Sequence, residues 1–302
     1  MDFQKLDLDL LKTMPLPDWS DETAKHNRGK LLIIGGSARI PGAIILTARA
    51  ALRAGCGTVR VAAPKSVALH IGIVVPELFV LPLPETDDGD IAKGALELIE
   101  AQFESCQAVV LGPGLDDNPK TDELAREIIK SSPLPTVVDA QALIALGEKL
   151  KIGEAPRVFT PHDAEFESLS GQKVGEDRLQ SATKFAKKTG ATLVLKGHQT
   201  IISTTDESPT QNESGTRALG TAGSGDILAG IIGSLLAQGM SAHQAAIWGV
   251  YFHAQAGEEV AKDMGEDGVM ARDFIERLPG IQKFARRTAM PDKKTGFGLR
   301  RN

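Results

Sequence analysis

A glycine-rich segment near residue 220 is the strongest chemical signal in the sequence. It reads GTAGSGD over residues 220–226 and leads directly into the apolar stretch 227–232. Glycines before a helix leave backbone N–H groups free to face an anion, and the helix dipole favours negative charge at that end. We therefore predict a phosphate-binding loop that contains Gly220, Gly223, Ser224 and Gly225.

Asp226 follows this loop and is expected in the first turn of a helix over residues 226–238. Two interpretations remain open: a functional carboxylate beside the anion-binding loop, and a carboxylate that only stabilises the helix start. The P-loop pattern and a strand-linked GxGxxG are both missing from the sequence.

A second candidate, KGHQT at residues 196–200, follows the apolar run 193–195 and leads into another strand. Lys196 could neutralise a phosphate, and Gly197 would let a ligand approach the backbone. A plain hairpin turn would use the same residue types, so both interpretations stay open.

A third candidate is the segment TPHDAE at residues 160–165. Pro161 is typical of a helix opening with Thr160 as its cap, and His162 and Glu165 are spaced to share one helix face. His162 could be structural, or it could contact a ligand, since open α/β sheets bind ligands beyond their strand ends. The glycine turns 35–37 and 112–114 follow strands in the same way, and each could be only a tight turn.

Short β-branched runs must position these segments. Seven of them alternate with helix-like stretches, at residues 31–34, 59–62, 78–81, 108–111, 136–139, 157–160 and 193–196. Most are continuously apolar, which is typical of a parallel sheet covered by helices on both faces. We therefore predict one α/β domain over residues 1–302, with its fold between about Asp18 and Arg287. We also expect a hairpin strand at 200–203 and a polar surface loop at 204–216. The basic residues 283–302 predict a solvated tail, flexible over 288–302, or a contact with phosphates or a neighbouring subunit.

Composition excludes several classes of protein. The 302 residues carry 34 Lys and Arg against 39 Asp and Glu, a net charge of −5, with only 4% aromatic residues. This argues against a nucleic-acid partner. Two cysteines without metal spacing indicate a reduced, intracellular protein. No export signal or membrane span is predicted, so we expect a soluble cytoplasmic protein.

Taken together, these motifs resemble the ADP/ATP-dependent NAD(P)H-hydrate dehydratases of the ribokinase-like superfamily. The match runs through most of the chain. It rests on His26, IGGS at 34–37, PGA at 41–43, TARAALRAG at 47–55, PEL at 76–78, LGPGL at 111–115, VDA at 138–140, TPH at 160–162 with Glu165, KG at 196–197 with Thr200, and GSGD at 223–226. The epimerase domain often fused before such a domain is expected to be absent, because the first 25 residues are too few for it.

The resemblance implies a ribokinase-like fold, mostly parallel, and a two-step reaction on hydrated NADH or NADPH. ADP or ATP phosphorylates the ring hydroxyl, and phosphate then leaves with help from the ring nitrogen. It also implies Mg²⁺ with no identifiable ligands, and a homotetramer. The implied nucleotide site contains Lys196, Gly197, His198, Gln199, Thr200 and Gly225. The implied substrate site contains Ala43, Gly114, His162 and Asp226. In this interpretation Asp226 is catalytic and accepts or orients the hydroxyl proton. Because a helix N-terminus lowers a carboxylate's pKa, Asp226 is expected to be a weak base that mainly aligns the nucleophile.

The sequence departs from the family pattern at two places. Gln141 stands where the family usually has a second Asp, and Asp163-Ala164 replaces Pro-Gly after His162. The first change removes a carboxylate, and the second could tighten the loop over the substrate. A kinase of the same superfamily acting on a vitamin-precursor alcohol, and a non-catalytic nucleotide sensor suggested by Gln141, are the alternatives. The sequence leaves open the preference for ADP or ATP and for the NADH or NADPH hydrate.

Overall fold

The computed structural model describes residues 2–18, 28–147 and 152–289 of the chain. All ten strands in this part of the chain join one sheet, in the order β1-β10-β9-β8-β7-β6-β5-β2-β3-β4. The strands are β1 Gln4–Lys5, β2 Lys30–Ile34, β3 Thr58–Pro64, β4 Phe79–Leu83, β5 Ala108–Leu111, β6 Thr136–Val138, β7 Arg157–Phe159, β8 Thr192–Leu195, β9 Thr200–Ser203 and β10 Thr210–Asn212.

Seven neighbouring strands, from β8 to β4, are parallel, and β9 forms an antiparallel hairpin with β8. β10 is antiparallel to β9, and β1 is parallel to β10. The mostly parallel sheet and the hairpin strand expected from the sequence are confirmed.

The helices cover both faces of this sheet. They are α1 Leu8–Lys12, α2 Pro41–Arg53, α3 Lys65–Val74, α4 Leu96–Glu100, α5 Pro119–Ser131, α6 Gln141–Leu146, α7 Asp163–Ser170, α8 Arg178–Thr189, α9 Ser224–Ala237, α10 Ala242–Met264, α11 Ala271–Ile275 and α12 Leu278–Ala289. None of the helices in the described ranges is long and apolar enough to cross a bilayer.

Alternate residues of the central strands supply two separate cores. In β2, Leu31 and Ile33 join the core beneath α2, α9 and α10, whereas Leu32 and Ile34 join the core beneath α5 to α8. All four side chains are 0–1% exposed. Since full burial of one such side chain stabilises the fold by roughly 1.5–3 kcal/mol, both faces of the sheet are strongly held.

The packing of α9 fixes the position of its N-terminus. Almost every residue of this helix is buried. A Cβ on Gly230 would lie 2.3 Å from the Thr47 carbonyl oxygen of α2, and one on Gly233 would lie 2.3 Å from a methyl group of Val110 in β5. Glycine at both positions therefore lets α9 lie directly on the sheet and on α2, so its first turn is part of a rigid scaffold.

Some sequence predictions were wrong at the edges of the fold. The predicted loop 204–216 contains β10, whose polar residues carry no apolar strand signal. Residues 283–289 belong to α12 rather than to a solvated tail, because Ile281, Ala285 and Ala289 face the core. Residues 290–302, the rest of the predicted tail, lie outside the described residues. The fold also begins before Asp18, since Leu6 and Leu11 are buried in the core.

Candidate active site

The predicted site segments follow neighbouring strands at one edge of the sheet. The glycine turns follow β2 and β5, Asp139 follows β6, the Thr160 segment follows β7, and Lys196 follows β8. These five strands lie side by side and are parallel, so their carboxyl ends meet at one edge. Ligands bind in such a crevice in open α/β sheets. His26, which also contributed to the sequence pattern, lies outside the described residues.

The glycine turns after β2 and β5 interlock closely. Gly36 donates its N–H to the Pro113 carbonyl at 2.8 Å, and a Cβ on Gly35 would lie 2.2 Å from that same oxygen. A Cβ on Gly114 would lie 3.3 Å from Ala43 Cβ. These glycines therefore allow two backbones to pack together, and they bring Ala43 at the start of α2 beside Gly114.

The N-terminus of α9 presents backbone donors at this edge. Gly223 caps the helix with φ +88°, a left-handed conformation that favours glycine, and no side-chain hydrogen bond caps the helix there. A Cβ on Gly220 would meet nothing within 4 Å. An uncapped first turn with open space before it is suited to binding an anion, as the sequence predicted.

Lys196 lies in a cluster of carboxylates rather than at the exposed end of its turn. Its Nζ is 3.2 Å from Asp139 Oδ1 and 3.6 Å from Glu165 Oε2. The lysine side chain is 20% exposed, and the Asp139 side chain is 3% exposed. A Cβ on Gly225 would lie 3.1 Å from the same Nζ, so Gly225 leaves room for the ammonium group beside the first turn of α9.

Charge keeps this lysine protonated. Burial alone would lower its pKa, but the carboxylates of Asp139, Glu165 and Asp226 outweigh burial and raise the pKa of Lys196 above its usual value. Thr160 Oγ1 donates a 2.7 Å hydrogen bond to Asp139 Oδ1 and helps to hold that carboxylate. Lys196 therefore supplies a permanent positive charge next to the anion-binding turn.

Asp226 has a pKa far from the expected one. Burial and the negative charge of Asp139 raise its pKa to about 7, against the opposing effect of Lys196, with a further rise from Glu165. The expectation that the helix N-terminus lowers this pKa was wrong, because burial and neighbouring carboxylates outweigh the dipole. A carboxylate with a pKa near 7 is suited to accept a proton at neutral pH.

The turn at residues 196–200 connects β8 and β9 at the same edge. Gly197, His198 and Gln199 are exposed, while Thr200 Oγ1 donates to the Gly197 carbonyl at 3.2 Å. Lys196 points away from these exposed residues into the carboxylate cluster. The predicted nucleotide-binding residues 196–200 are thus contiguous in the chain, but they are divided in space between an open turn and the ammonium group of Lys196.

Arg178, which no sequence signal identified, braces this turn. Its Nη2 donates to the Lys196 carbonyl at 2.9 Å and lies 2.6 Å from the position of a Cβ on Gly197. Its Nη1 donates to both carboxylate oxygens of Asp163 at 2.6 and 2.7 Å. Asp163, one of the two residues that replace the usual Pro-Gly of the family, therefore links the turn that contains Lys196 to α7 through Arg178.

His162 has a structural role in addition to any contact with a ligand. It caps α7, with Nδ1 accepting from the N–H groups of Ala164 and Glu165, and its own N–H donates to Glu165 Oε2 at 2.8 Å. Thr160 was predicted as the cap, but the helix begins two residues later than that prediction requires. The His162 side chain is 55% exposed, so its outer edge is accessible to a ligand.

Gln141, which stands where the family usually has an aspartate, has a hydrogen-bond partner on α5. Gln141 Nε2 donates to Asp122 Oδ1 at 3.1 Å, and burial raises the pKa of that aspartate. A second carboxylate at position 141 would face Asp122 and repel it. The missing charge therefore fits a local pairing and leaves the cluster of Asp139, Glu165, Lys196 and Asp226 intact.

No group of three or more His, Cys, Asp or Glu residues in the described ranges could hold a metal ion. The Lys196 ammonium lies between the carboxylates of Asp139 and Glu165, where a cation would otherwise be attracted. The described residues alone do not form a magnesium site.

Sequence reasoning missed most of the carboxylate cluster. Asp139 and Glu165 were part of the recognised pattern but were assigned no role, because their meeting with Lys196 depends on three different strand ends. His253, whose Nε2 is 2.8 Å from Ser224 Oγ, was also missed. It lies 29 residues after Ser224 in the chain, and no local pattern identifies it.

Known proteins are similar to this chain over most of its length. The family model for NAD(P)H-hydrate dehydratases matches residues 31–280. The ADP-dependent (S)-NAD(P)H-hydrate dehydratase of Xanthomonas campestris pv. campestris is 38% identical over 274 residues, covering 90% of this chain and 93% of that protein. The bifunctional NAD(P)H-hydrate repair enzyme of Moorella thermoacetica is 38% identical over 259 residues, covering 84% of this chain and 49% of that protein. The chain thus spans about half the length of the bifunctional relatives that it matches.

The fold is shared with a solved structure. The ADP/ATP-dependent NAD(P)H-hydrate dehydratase from Bacillus subtilis, co-crystallized with ATP and Mg²⁺, has a TM-score of 0.81 and 25% identity, covering 94% of this chain and 99% of that chain. The predicted ribokinase-like α/β fold is therefore confirmed. With most of its length matched by the family model and by a relative of nearly equal length, the chain belongs to the NAD(P)H-hydrate dehydratase family.

Proposed function

We propose that the protein dehydrates the S epimer of hydrated NADH or NADPH, using ADP or ATP as the phosphoryl donor. The observation that carries this proposal is Asp226, a carboxylate with a pKa of about 7 in the first turn of α9, beside an uncapped helix N-terminus. A proton acceptor and an anion-binding turn at one place are what phosphorylation of a hydroxyl group requires.

In the first step, the ring hydroxyl attacks the terminal phosphorus of the nucleotide. A new O–P bond forms as the bond to the leaving nucleotide breaks, and Asp226 takes the hydroxyl proton. Backbone N–H groups of Gly225 and the preceding loop stabilise the negative charge on the transferred phosphoryl group. Lys196, kept protonated by its carboxylate partners, adds a positive charge next to that turn.

In the second step, the bond between the ring carbon and the phosphorylated oxygen breaks. The ring nitrogen's electron pair drives phosphate out, and loss of a proton from the adjacent ring carbon restores the double bond of NADH or NADPH. The overall products are the reduced dinucleotide, inorganic phosphate, one proton released to solvent, and AMP from ADP or ADP from ATP. Phosphorylation is useful because phosphate is a far better leaving group than hydroxide.

The two substrates are assigned to the two sides of the α9 N-terminus. We place the hydrated dinucleotide against Ala43, Gly114, His162 and Asp226, because α2 and the β5 turn meet there and the outer edge of His162 is accessible. We place the adenine nucleotide against the turn that contains Lys196, Gly197, His198, Gln199 and Thr200. Its phosphates are placed against Gly225 and the loop residues Gly220, Gly223 and Ser224. The Arg178 brace supports a fixed shape for this turn.

We further propose that Mg²⁺ is required and arrives with the nucleotide phosphates. The Bacillus structure was obtained with ATP and Mg²⁺, and the described residues of this chain offer no three-ligand site. Mg²⁺ commonly binds through phosphates, water and few protein ligands. Two buried free cysteines, Cys56 and Cys106, support a reducing compartment such as the cytoplasm, and family resemblance supports a homotetramer.

The test is a coupled stoichiometry assay. The protein is mixed with hydrated NADH, Mg²⁺ and ADP, and near-ultraviolet absorbance of reduced nicotinamide, AMP and inorganic phosphate are measured together. We expect one NADH, one AMP and one phosphate for each hydrate consumed, with no recovery when ADP is omitted. An exposed carboxylate variant, Asp206→Asn, serves as a matched control for preparation and should behave as the parent protein.

The alternatives give different results in the same assay. A small-molecule kinase would consume ADP with a vitamin-precursor alcohol and accumulate a stable phosphate ester without recovering absorbance. A nucleotide sensor would bind ADP without releasing AMP. Either result would contradict the proposed dehydration.

A further inference from the structure

A histidine behind the first turn of α9 contacts the only serine of the glycine segment. His253 lies on α10, and its Nε2 is 2.8 Å from Ser224 Oγ and 3.0 Å from the Ser224 carbonyl oxygen. Its ring also packs edge-on against Phe274 at 6.4 Å. Both polar contacts are made by one ring nitrogen to one residue, which is the residue that begins α9.

These contacts determine which ring nitrogen carries the hydrogen. Burial lowers the pKa of His253 to about 4, with the nearby positive charge of Lys196 acting in the same direction, so the ring is neutral near pH 7. A neutral imidazole has one N–H group, and a carbonyl oxygen can only accept. With a hydrogen on Nε2, the ring donates to the Ser224 carbonyl oxygen. Without it, the lone pair of Nε2 would face a lone pair of that oxygen at 3.0 Å, which is repulsive.

The hydroxyl of Ser224 is then restricted as well. When Nε2–H is the donor, Ser224 Oγ can only accept from that nitrogen, so the serine's own hydrogen must point in another direction. Ser224 is 4% exposed and lies between Gly223 and Gly225 at the first turn of α9. Its hydroxyl hydrogen is therefore available to an acceptor other than His253, and an anion bound at this turn is such an acceptor.

We propose that His253 is a positioning residue that makes Ser224 donate its hydroxyl hydrogen to the phosphoryl group bound at the first turn of α9. This inference rests on the proposed function for the nature of the anion. His253 touches neither nucleotide nor hydrate and acts only through Ser224. It adds one oriented side-chain donor to the backbone donors of the turn.

The test is a double-mutant cycle at these two positions. His253→Leu removes the donor, His253→Gln keeps an N–H donor of similar reach, and Ser224→Ala removes the hydroxyl. Turnover is measured at saturating substrates, and thermal unfolding is measured on the same samples. The partly buried His243 lies on the same helix, so His243→Leu and His243→Gln are the matched controls.

We expect His253→Leu to lower turnover about 10-fold or more, up to the roughly 10²–10³-fold found for loss of a direct oxyanion donor. His253→Gln should restore most of that loss, and the His243 variants should change turnover less than 2-fold. In the Ser224→Ala background, His253→Leu should cause no further loss. Losses that multiply in the double variant, or a loss of thermal stability in His253→Leu without a loss of turnover, would overturn the proposal.

Failure of the proposed function can be distinguished from failure of this inference. If the parent protein does not recover NADH from its hydrate, the same cycle is measured as ADP affinity by calorimetry. ADP binding weakened equally by His253→Leu, Ser224→Ala and the double variant would still support the positioning role. Affinities reduced independently by the two substitutions would contradict it.

Discussion

Replacing Asp226 by Asn should make the protein more stable and almost inactive. Partial burial and then the negative charges of Asp139 and Glu165 raise the pKa of this carboxylate from 3.8 to about 7, against the opposing charge of Lys196. The folded protein therefore binds this proton more tightly than the unfolded chain does. The stability that this proton provides is complete below about pH 4 and is lost as the pH rises through 7.

The size of the effect follows from the shift in pKa. A rise from 3.8 to about 7, at about 1.4 kcal/mol per unit, corresponds to about 4 kcal/mol at the limit. Because Asp226 is only half-buried and solvent screens its charge, we expect about 1–2 kcal/mol. The Asn variant does not titrate, so its advantage over the parent protein should be largest at pH 8 and absent near pH 4.

The assay is urea unfolding of both proteins between pH 4 and 8, together with turnover at pH 7. Turnover should fall by roughly 10²–10⁴, the range for general acid–base groups. The exposed variant Asp206→Asn should show neither effect. If Asp226→Asn were destabilised equally at every pH, or kept near-normal turnover, the carboxylate would be only a helix-terminal stabiliser and the reasoning would be refuted.

Three further variants have expected outcomes. Lys196→Met should destabilise the fold by about 3 kcal/mol, since it leaves buried carboxylates unpaired. In calorimetry, the same variant should weaken ADP binding more than hydrate binding. An unchanged affinity for ADP would contradict this prediction. The same variant should move the pKa of Asp226 above 7, seen as a shift of the pH–rate curve to higher pH. Gln141→Asp should lower the free energy of unfolding at pH 7 by about 1 kcal/mol, because the new carboxylate would repel Asp122. Turnover should stay within 2-fold of the parent value. A large loss of turnover would instead place position 141 in the active site. Gly112→Ala should lower the free energy of unfolding, measured by thermal unfolding, by more than about 3 kcal/mol. The added Cβ would lie 1.9 Å from the carbonyl oxygen of Asp139, and the φ of residue 112 is +124°. A mild effect would show that this turn can relax.

Local patterns predicted the centre of the fold and missed its polar edge. Continuous apolar runs predicted the parallel strands, because a strand buried on both faces is mostly apolar. The three residues of β10, Thr210–Asn212, are all polar. Its pairing with β1 and β9 therefore depends on backbone hydrogen bonds, which the residue types do not reveal. The helix α12 was hidden by its basic residues, of which Lys283 and Arg287 are exposed, while Ile281 and Ala285 are buried.

For the site, the sequence located the segments but not their electrostatics. The turn at residues 220–226 was predicted to bind an anion, and α9 begins there as expected. The pKa of Asp226 was predicted in the wrong direction, because only the helix dipole is visible locally. The groups that raise that pKa, Asp139 and Glu165, come from two other strand ends that only the folded chain brings together.

The pH dependence of nucleotide-driven NADH recovery tests the central claim most directly. The rate of the parent protein is measured from pH 5 to 9 with Mg²⁺ at subsaturating hydrated NADH and ADP, where it is proportional to kcat/KM and reports the ionisation of the free protein. If Asp226 accepts the hydroxyl proton, this rate should rise with pH to half its maximum near pH 7, since only the ionised carboxylate can act as the base. A curve that is flat between pH 5 and 8, or no recovery of NADH at any pH, would contradict the account.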